Sequence, residues 1–349
     1  MRSLRRPAAV FIAVALAGGL AACGDDNNDE ATTASTTATT AKANGADAVD
    51  ITMKEYAYTI GGDLKPGGTI RLSNQGTQFH MMGLAKLKEG KTIADVTTLL
   101  QQLGEGPPGG EGGETTTTAA GGSGAGATTT TAAADTGTTL PGGEEEQGDP
   151  FAEIADEVGA PGTIMGPGQK ADITVPDLAE GTYAMICFLP VEGDAEMTPH
   201  FAKGMVGQLT VAGDKAAEPT ADATFKVEAG KAVSGPGTLT AGRHVLKFEG
   251  VGDVGALEPG LAKLDPGKTI ADINRAFSAF EQGQDFVLPV NAAATVPGQL
   301  IAGVFDFGDA DTVYVGADLT AGTYGIDAHD TDTDTPIDDP VEKATFTVS

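Results

Sequence analysis

Hydrophobic positions along the chain fall into two kinds of run. Short stretches at 51–60, 69–74, 79–87, 171–175, 182–188 and 205–211 are partly β-branched or aromatic and are bounded by Gly and Pro turns. Such runs predict strands. One segment of different period interrupts them. Across 92–103 the apolar residues Ile93, Val96, Leu99, Leu100 and Leu103 recur at helical spacing. Thr92 with Asp95 has the form of a capping box with Asp in place of Glu. A second helix of this kind is expected over 269–281, opened by Thr269 and Asp272.

That recurrence extends well beyond the helix. Gly83–Val96 (GLAKLKEGKTIADV) matches Gly260–Ile273 (GLAKLDPGKTIADI), and Asp177–Tyr183 (DLAEGTY) matches Asp318–Tyr324 (DLTAGTY). The offsets are 177 and 141, and a longer insertion in the first copy accounts for their difference. The chain therefore reads as two homologous all-β units, 49–213 and 219–349, each a β-sandwich with one helical excursion. The insertion is 104–150, a stretch of Gly, Thr, Ala and Glu too long and simple for an ordered loop. Residues 23–48 are equally poor in large apolar side chains and predict a disordered tether.

Ahead of the tether, a basic start with Arg2, Arg5 and Arg6 leads into an apolar run, Ala8–Ala17, and then into Leu20-Ala21-Ala22-Cys23-Gly24. The order is that of a signal peptide spanning 1–22. Its end resembles the lipobox of bacterial lipoproteins, in which Cys23 becomes the lipidated N-terminus. The expectation is an exported protein, lipid-anchored on the outer face of the bacterial cell membrane rather than spanning it.

Composition narrows the function. The 349 residues carry 21 Lys+Arg against 49 Asp+Glu, a formal net charge of -28. Processing would remove three arginines and no acid, leaving the exported form more acidic still. This charge repels nucleic acid, which is excluded as a partner. Two Cys and four His exclude a disulfide-stapled scaffold and a multicopper oxidase cluster. With Cys23 lipidated, Cys187 is left as a single thiol outside the cytoplasm.

Around Cys187 the sequence gathers candidate ligands. His80 follows Asn74 closely, and the first unit closes on Cys187, His200 and Met205, with four residues between the last two. One thiolate, two imidazoles and a thioether near strand ends of one β-unit are the donors of a blue-copper site. Here the sequence resembles the cupredoxins of the plastocyanin type. The resemblance covers 51–212 apart from the insertion, in the Asn74-to-His80 segment and the Cys187–His200–Met205 closing loop. It implies two tandem cupredoxin-like Greek-key sandwiches. It also implies one copper in the first, with His80, Cys187 and His200 equatorial and Met205 axial. Twelve residues separate Cys187 from His200, more than in small plastocyanins, and Glu192, Asp194 and Glu196 on that loop are alternative donors. His200, on the loop, is the candidate for an exposed electron-exchanging edge.

The second unit is expected to lack the site, because His80 aligns with Leu257, Cys187 with Ala328 and Met205 with Glu342. His329 and His244 read as bystanders, and Asp330-Thr-Asp332-Thr-Asp334 as a solvated acidic loop rather than a calcium site. Apart from Met1, every methionine lies in the first unit, as packing around the site or as thioether ligands of a Cu(I) carrier. The reading is a non-enzymatic, membrane-anchored copper protein passing single electrons to an unidentified redox partner. A metal-free surface or spacer module and a Cu(I) carrier are the alternatives.

Overall fold

The computed structural model describes residues 47–104, 150–157, 163–254, 257–282, 285–303, 311–330 and 342–349, with the backbone of the short strand Ile12–Ala15. Most of the signal segment, Cys23, the tether up to residue 46 and nearly all of the 104–150 insertion lie outside these residues, as does the acidic stretch after Asp330, whereas Ala48, expected in the tether, opens the strand Ala48–Lys54.

The first unit builds one sheet from Ala57–Ile60, Ala48–Lys54, Thr69–Asn74 and Lys170–Thr174. Alternation sets their faces. Val49, Ile51 and Met53 point inward from one strand, and Ile70, Leu72 and Asn74 from the next. Burying each such side chain is worth about 1.5–3 kcal/mol. The facing sheet runs Val206–Val211, Gly181–Ile186, His80–Leu87 and Ala155–Glu157, and Thr163–Met165 also pairs with His80–Leu87. The two short strands Ala155–Glu157 and Thr163–Met165 were not foreshadowed by the hydrophobic pattern. The expected strand 51–60 is a hairpin instead. It turns at Glu55 and Tyr56, whose φ of 60° takes the chain through the left-handed region, and Lys54 pairs with Ala57.

The second unit repeats this plan, and the two units share a sheet. Lys170–Thr174 pairs antiparallel with Thr312–Leu319, matching Thr174 to Tyr314 and Asp172 to Gly316. Gly242–Gly250, Ala223–Glu228 and Lys231–Ser234 then continue one eight-stranded sheet. Arg243 meets Asp172 at 2.5 Å across this seam. The seam joins equivalent strands of the two copies, so the units are related by an approximate two-fold axis through it.

Each unit also carries its helix. Ile93–Gly104 and Ile270–Ser278 each begin one residue after the expected threonine, and Thr92 with Asp95 and Thr269 with Asp272 hydrogen-bond reciprocally as capping boxes. The second helix is shorter than expected, because Glu281–Gln282 is already strand. Val96 and Leu100 of the first helix pack with Ala184, Ile186 and Phe201. The helical excursion thereby braces the chain immediately after His200.

Candidate metal centre

Three turns converge at one end of the first sandwich. Asn74, the last residue of its strand, is 1% exposed and spends its amide on the turn that follows. Its Nδ2 donates to the carbonyls of Gln78 and Met165, each at 2.8 Å, and its Oδ1 accepts the Gly76 N–H at 2.9 Å. The turn delivers His80 to the start of the next strand. Gly76 must stay small, because a Cβ there would lie 2.5 Å from His80 Nε2 and 2.6 Å from Glu55 Oε1.

Cys187 directly follows Gly181–Ile186, and its N–H donates to the Met205 carbonyl at 3.2 Å. His200 opens the turn His200–Lys203, which Gly204 closes with a φ of 104°. The His200 N–H reaches the Leu189 carbonyl at 2.7 Å, and the Met205 N–H reaches the His200 carbonyl at 2.9 Å. All four residues are 0% exposed.

The structure brings His80, Cys187 and His200 into one cluster, with a donor atom from each within 4.8 Å of the others. His80 Nδ1 lies 3.2 Å from His200 Nδ1, and Cys187 Sγ lies 3.3 Å from the same nitrogen. Met81 donates its N–H to Cys187 Sγ at 3.3 Å. Met205 is tied to this group through the backbone and is fully buried. Burial dominates the electrostatics. It pushes the Cys187 thiol up to about 12, opposed by the N–H groups of Met81 and Leu189. It drives His80 down to about 4, partly offset by the Glu55 carboxylate, and His200 down to about 3, helped by His80. Left to itself the cluster is neutral, with its donors facing one another.

These donors fit a soft or borderline cation. Two buried imidazoles and a buried thiol suit copper or zinc, whereas magnesium and calcium demand oxygen. Two imidazole nitrogens bound at ~2.0 Å in a trigonal plane sit ~3.5 Å apart, within a few tenths of an ångström of the 3.2 Å found here. His80 Nε2 is buried without a hydrogen-bond partner, so its ring is not held in place by any other polar contact at that atom.

Several expectations are corrected or resolved. His200 is not an exposed edge, because Tyr56 at the hairpin tip packs against its ring, centroids 5.2 Å apart, and Gln78 occupies its outer nitrogen. Glu192, Asp194 and Glu196 of the loop do not join the His80–Cys187–His200 cluster. Glu192 Oε2 accepts the Asn291 N–H at 3.0 Å and Asp194 Oδ1 accepts the Glu196 N–H at 3.0 Å. Met81, Met82, Met165 and Met185 are at most 3% exposed, as core packing requires. His244 Nε2 meets the Thr240 carbonyl at 2.7 Å.

Sheet register settles the comparison between copies. Gly83 pairs with Ile186 as Gly260 pairs with Asp327, and Val206 pairs with Ile186 as Lys343 pairs with Asp327. Leu257, Ala328 and Glu342 therefore occupy the places of His80, Cys187 and Met205. Sequence reasoning missed Gln78 and Tyr56. No motif marks either of them, although Gln78 stands two residues before a candidate ligand.

No protein-family model matches the chain, and no curated protein matches it. Among solved structures, auracyanin from the photosynthetic bacterium Roseiflexus castenholzii is 22% identical, covers 48% of this chain and 98% of its own, and superposes with a TM-score of 0.23. Auracyanin A from Chloroflexus aurantiacus, described as a "blue" copper protein, is 19% identical, with 36% and 98% covered and a TM-score of 0.24. A copper-containing nitrite reductase from Thermus scotoductus is 12% identical, with 86% and 61% covered and a TM-score of 0.19. Likeness at these levels assigns no function to the chain.

Proposed function

We propose that the first unit, cupredoxin-like in its sandwich and in the order of its donors, holds one copper ion and passes single electrons. His80 Nδ1, Cys187 Sγ and His200 Nδ1 would hold the ion, with the buried Met205 as a fourth candidate donor. The observation that carries this reading is the convergence of those three atoms in a fully buried pocket, from turns 120 residues apart in the chain.

Copper bound there would supply reversible one-electron chemistry. The residues of this chain supply the rest. Cys187 would release its thiol proton to solvent on becoming a donor. The Met81 N–H stays on its sulfur and stabilises the thiolate. The two sheets and the helix behind Phe201 hold the donor turns, which limits rearrangement between oxidation states. Burial excludes water. A freely exchanging Cu(I) carrier is disfavoured, because Met81, Met82 and Met185 are packed in the core and only Met197 of the neighbouring methionines is partly exposed. Electron carriage is favoured over catalysis by the burial of the His80, Cys187 and His200 side chains, which electrons can reach through the protein without direct contact. Export and a lipid anchor at Cys23 complete the proposal, placing the carrier on the outer face of a membrane with a second redox protein as its partner.

The test is addition of Cu(II) to the folded, metal-free protein. An intense visible thiolate-to-copper absorption that disappears in Cys187→Ser supports the reading. Stoichiometric copper without such a band, or a band that survives Cys187→Ser, overturns it.

A further inference from the structure

The second unit has lost the donors at the equivalent positions, yet it packs against the loop that carries His200. We propose that this unit is a positioning module, holding His200 with one chosen nitrogen bare through Glu192 and Gln78.

The relay can be followed atom by atom. Glu192 donates its backbone N–H to Gln78 Oε1 at 2.7 Å. A backbone N–H only donates, so the Gln78 amide must present its oxygen there. The same oxygen lies 3.2 Å from His200 Nε2. An amide oxygen only accepts, so Nε2 must carry the imidazole proton. His200 Nδ1 is then bare, and it faces Cys187 Sγ and His80 Nδ1. The other end of the amide donates to the Tyr56 hydroxyl at 3.4 Å, and the Gln78 carbonyl accepts from Asn74.

Two contacts from the second unit hold this relay. Asn291, in the left-handed region at φ 55°, donates its N–H to Glu192 Oε2. The Phe277 ring meets that of Phe79, centroids 6.0 Å apart, and Phe79 stands between Gln78 and His80. The shared sheet and the Arg243–Asp172 pair keep the units in this register. The copy that lacks donors thus reaches the residues around the site through two contacts, at Glu192 and at Phe79. Outer partners of this kind orient a ligating histidine, and losing one typically weakens metal binding about 10- to 100-fold.

The inference rests on the copper reading only in its second arm. The first arm uses metal-free protein and nitrogen NMR of His200. Wild type should show two well-separated ring-nitrogen resonances, with the proton on Nε2. Gln78→Leu should draw them together as the tautomers mix, and Gln78→Glu, which still accepts, should restore them. Glu192→Ala, which lets go of Asn291, should move them in the same direction, and Glu192→Gln should not. In the second arm, Cu(II)-loaded Glu192→Ala should bind about 10- to 100-fold more weakly than Glu192→Gln, with a shifted visible band. Wild-type nitrogen shifts in Gln78→Leu would overturn the tautomer assignment. Equal behaviour of Glu192→Ala and Glu192→Gln would overturn the role of the second unit. Should Glu192→Ala fail to fold, Phe277→Ala takes its place, with a wild-type His200 spectrum as the refuting result. Failure to bind copper would refute the functional reading while leaving the metal-free arm decisive for this one.

Discussion

Gly76→Ala is the most exacting probe of the site. Gly76 has no positive φ, so alanine meets no backbone strain there and the cost is steric alone. The new Cβ would sit 2.5 Å from His80 Nε2 and 2.6 Å from Glu55 Oε1. Ordinary carbon contacts begin near ~3.5 Å, so each neighbour must retreat by about 1 Å. Glu55 is exposed and can swing away. The His80 ring is wholly buried, between its strand and the Asn74 turn, and can move only by displacing the cluster. Overpacking of this kind costs about 1–3 kcal/mol, and displacement of a ligand ring should weaken metal binding by a further ~10- to 100-fold. The assay pairs a denaturant titration of the metal-free protein with a copper titration. Gly237→Ala, where nothing lies within 4 Å, is the control and should change neither. Wild-type stability and wild-type copper affinity in Gly76→Ala would refute the placement of His80.

Three further outcomes follow from the geometry. Asn74→Ala strips hydrogen bonds from two carbonyls and one N–H in a buried turn, and should cost about 2–4 kcal/mol in a denaturant melt; a loss under about 0.5 kcal/mol would contradict its anchoring role. Both site histidines titrate lower in the fold than the ordinary 6.5. Between pH 6.5 and about 4 the unfolded chain therefore binds more protons, and metal-free stability should be lost as the pH is lowered, by up to about 2.7 kcal/mol per unit. The slope should flatten in the His80→Gln, His200→Gln double variant if that variant folds, and an unchanged slope would assign the effect elsewhere. Because the Cys187 thiol is protonated until about pH 12 without a cation, metal binding at pH 7 should release about one proton. Calorimetry in buffers of different ionisation enthalpy would count it, and zero release would exclude thiolate ligation.

Much of this was legible in the chain, for identifiable reasons. Strand alternation marked Thr69–Asn74 without error, because inward Ile70 and Leu72 leave no second reading. The internal repeat fixed the pairing of the two copies, and the sheet registers agree with its offsets of 177 and 141. His80, Cys187 and His200 were visible because few other residue types can do their chemistry. Their second layer was not. Gln78 and Tyr56 act through placement, and a glutamine or tyrosine in a turn has no distinguishing neighbours in sequence. The hairpin at Glu55 was hidden because β-type residues run through it on both sides. The shared sheet was hidden for a related reason. Lys170–Thr174 and Thr312–Leu319 read as strands whether their edges meet each other or solvent.

The copper reading is tested most directly by the atoms that surround an added Cu(II) ion. X-ray absorption at the copper edge of the Cu(II)-loaded full chain should report one short sulfur and two imidazole nitrogens, and the sulfur should vanish in Cys187→Ser. A shell of nitrogen and oxygen alone in the folded wild type would contradict it.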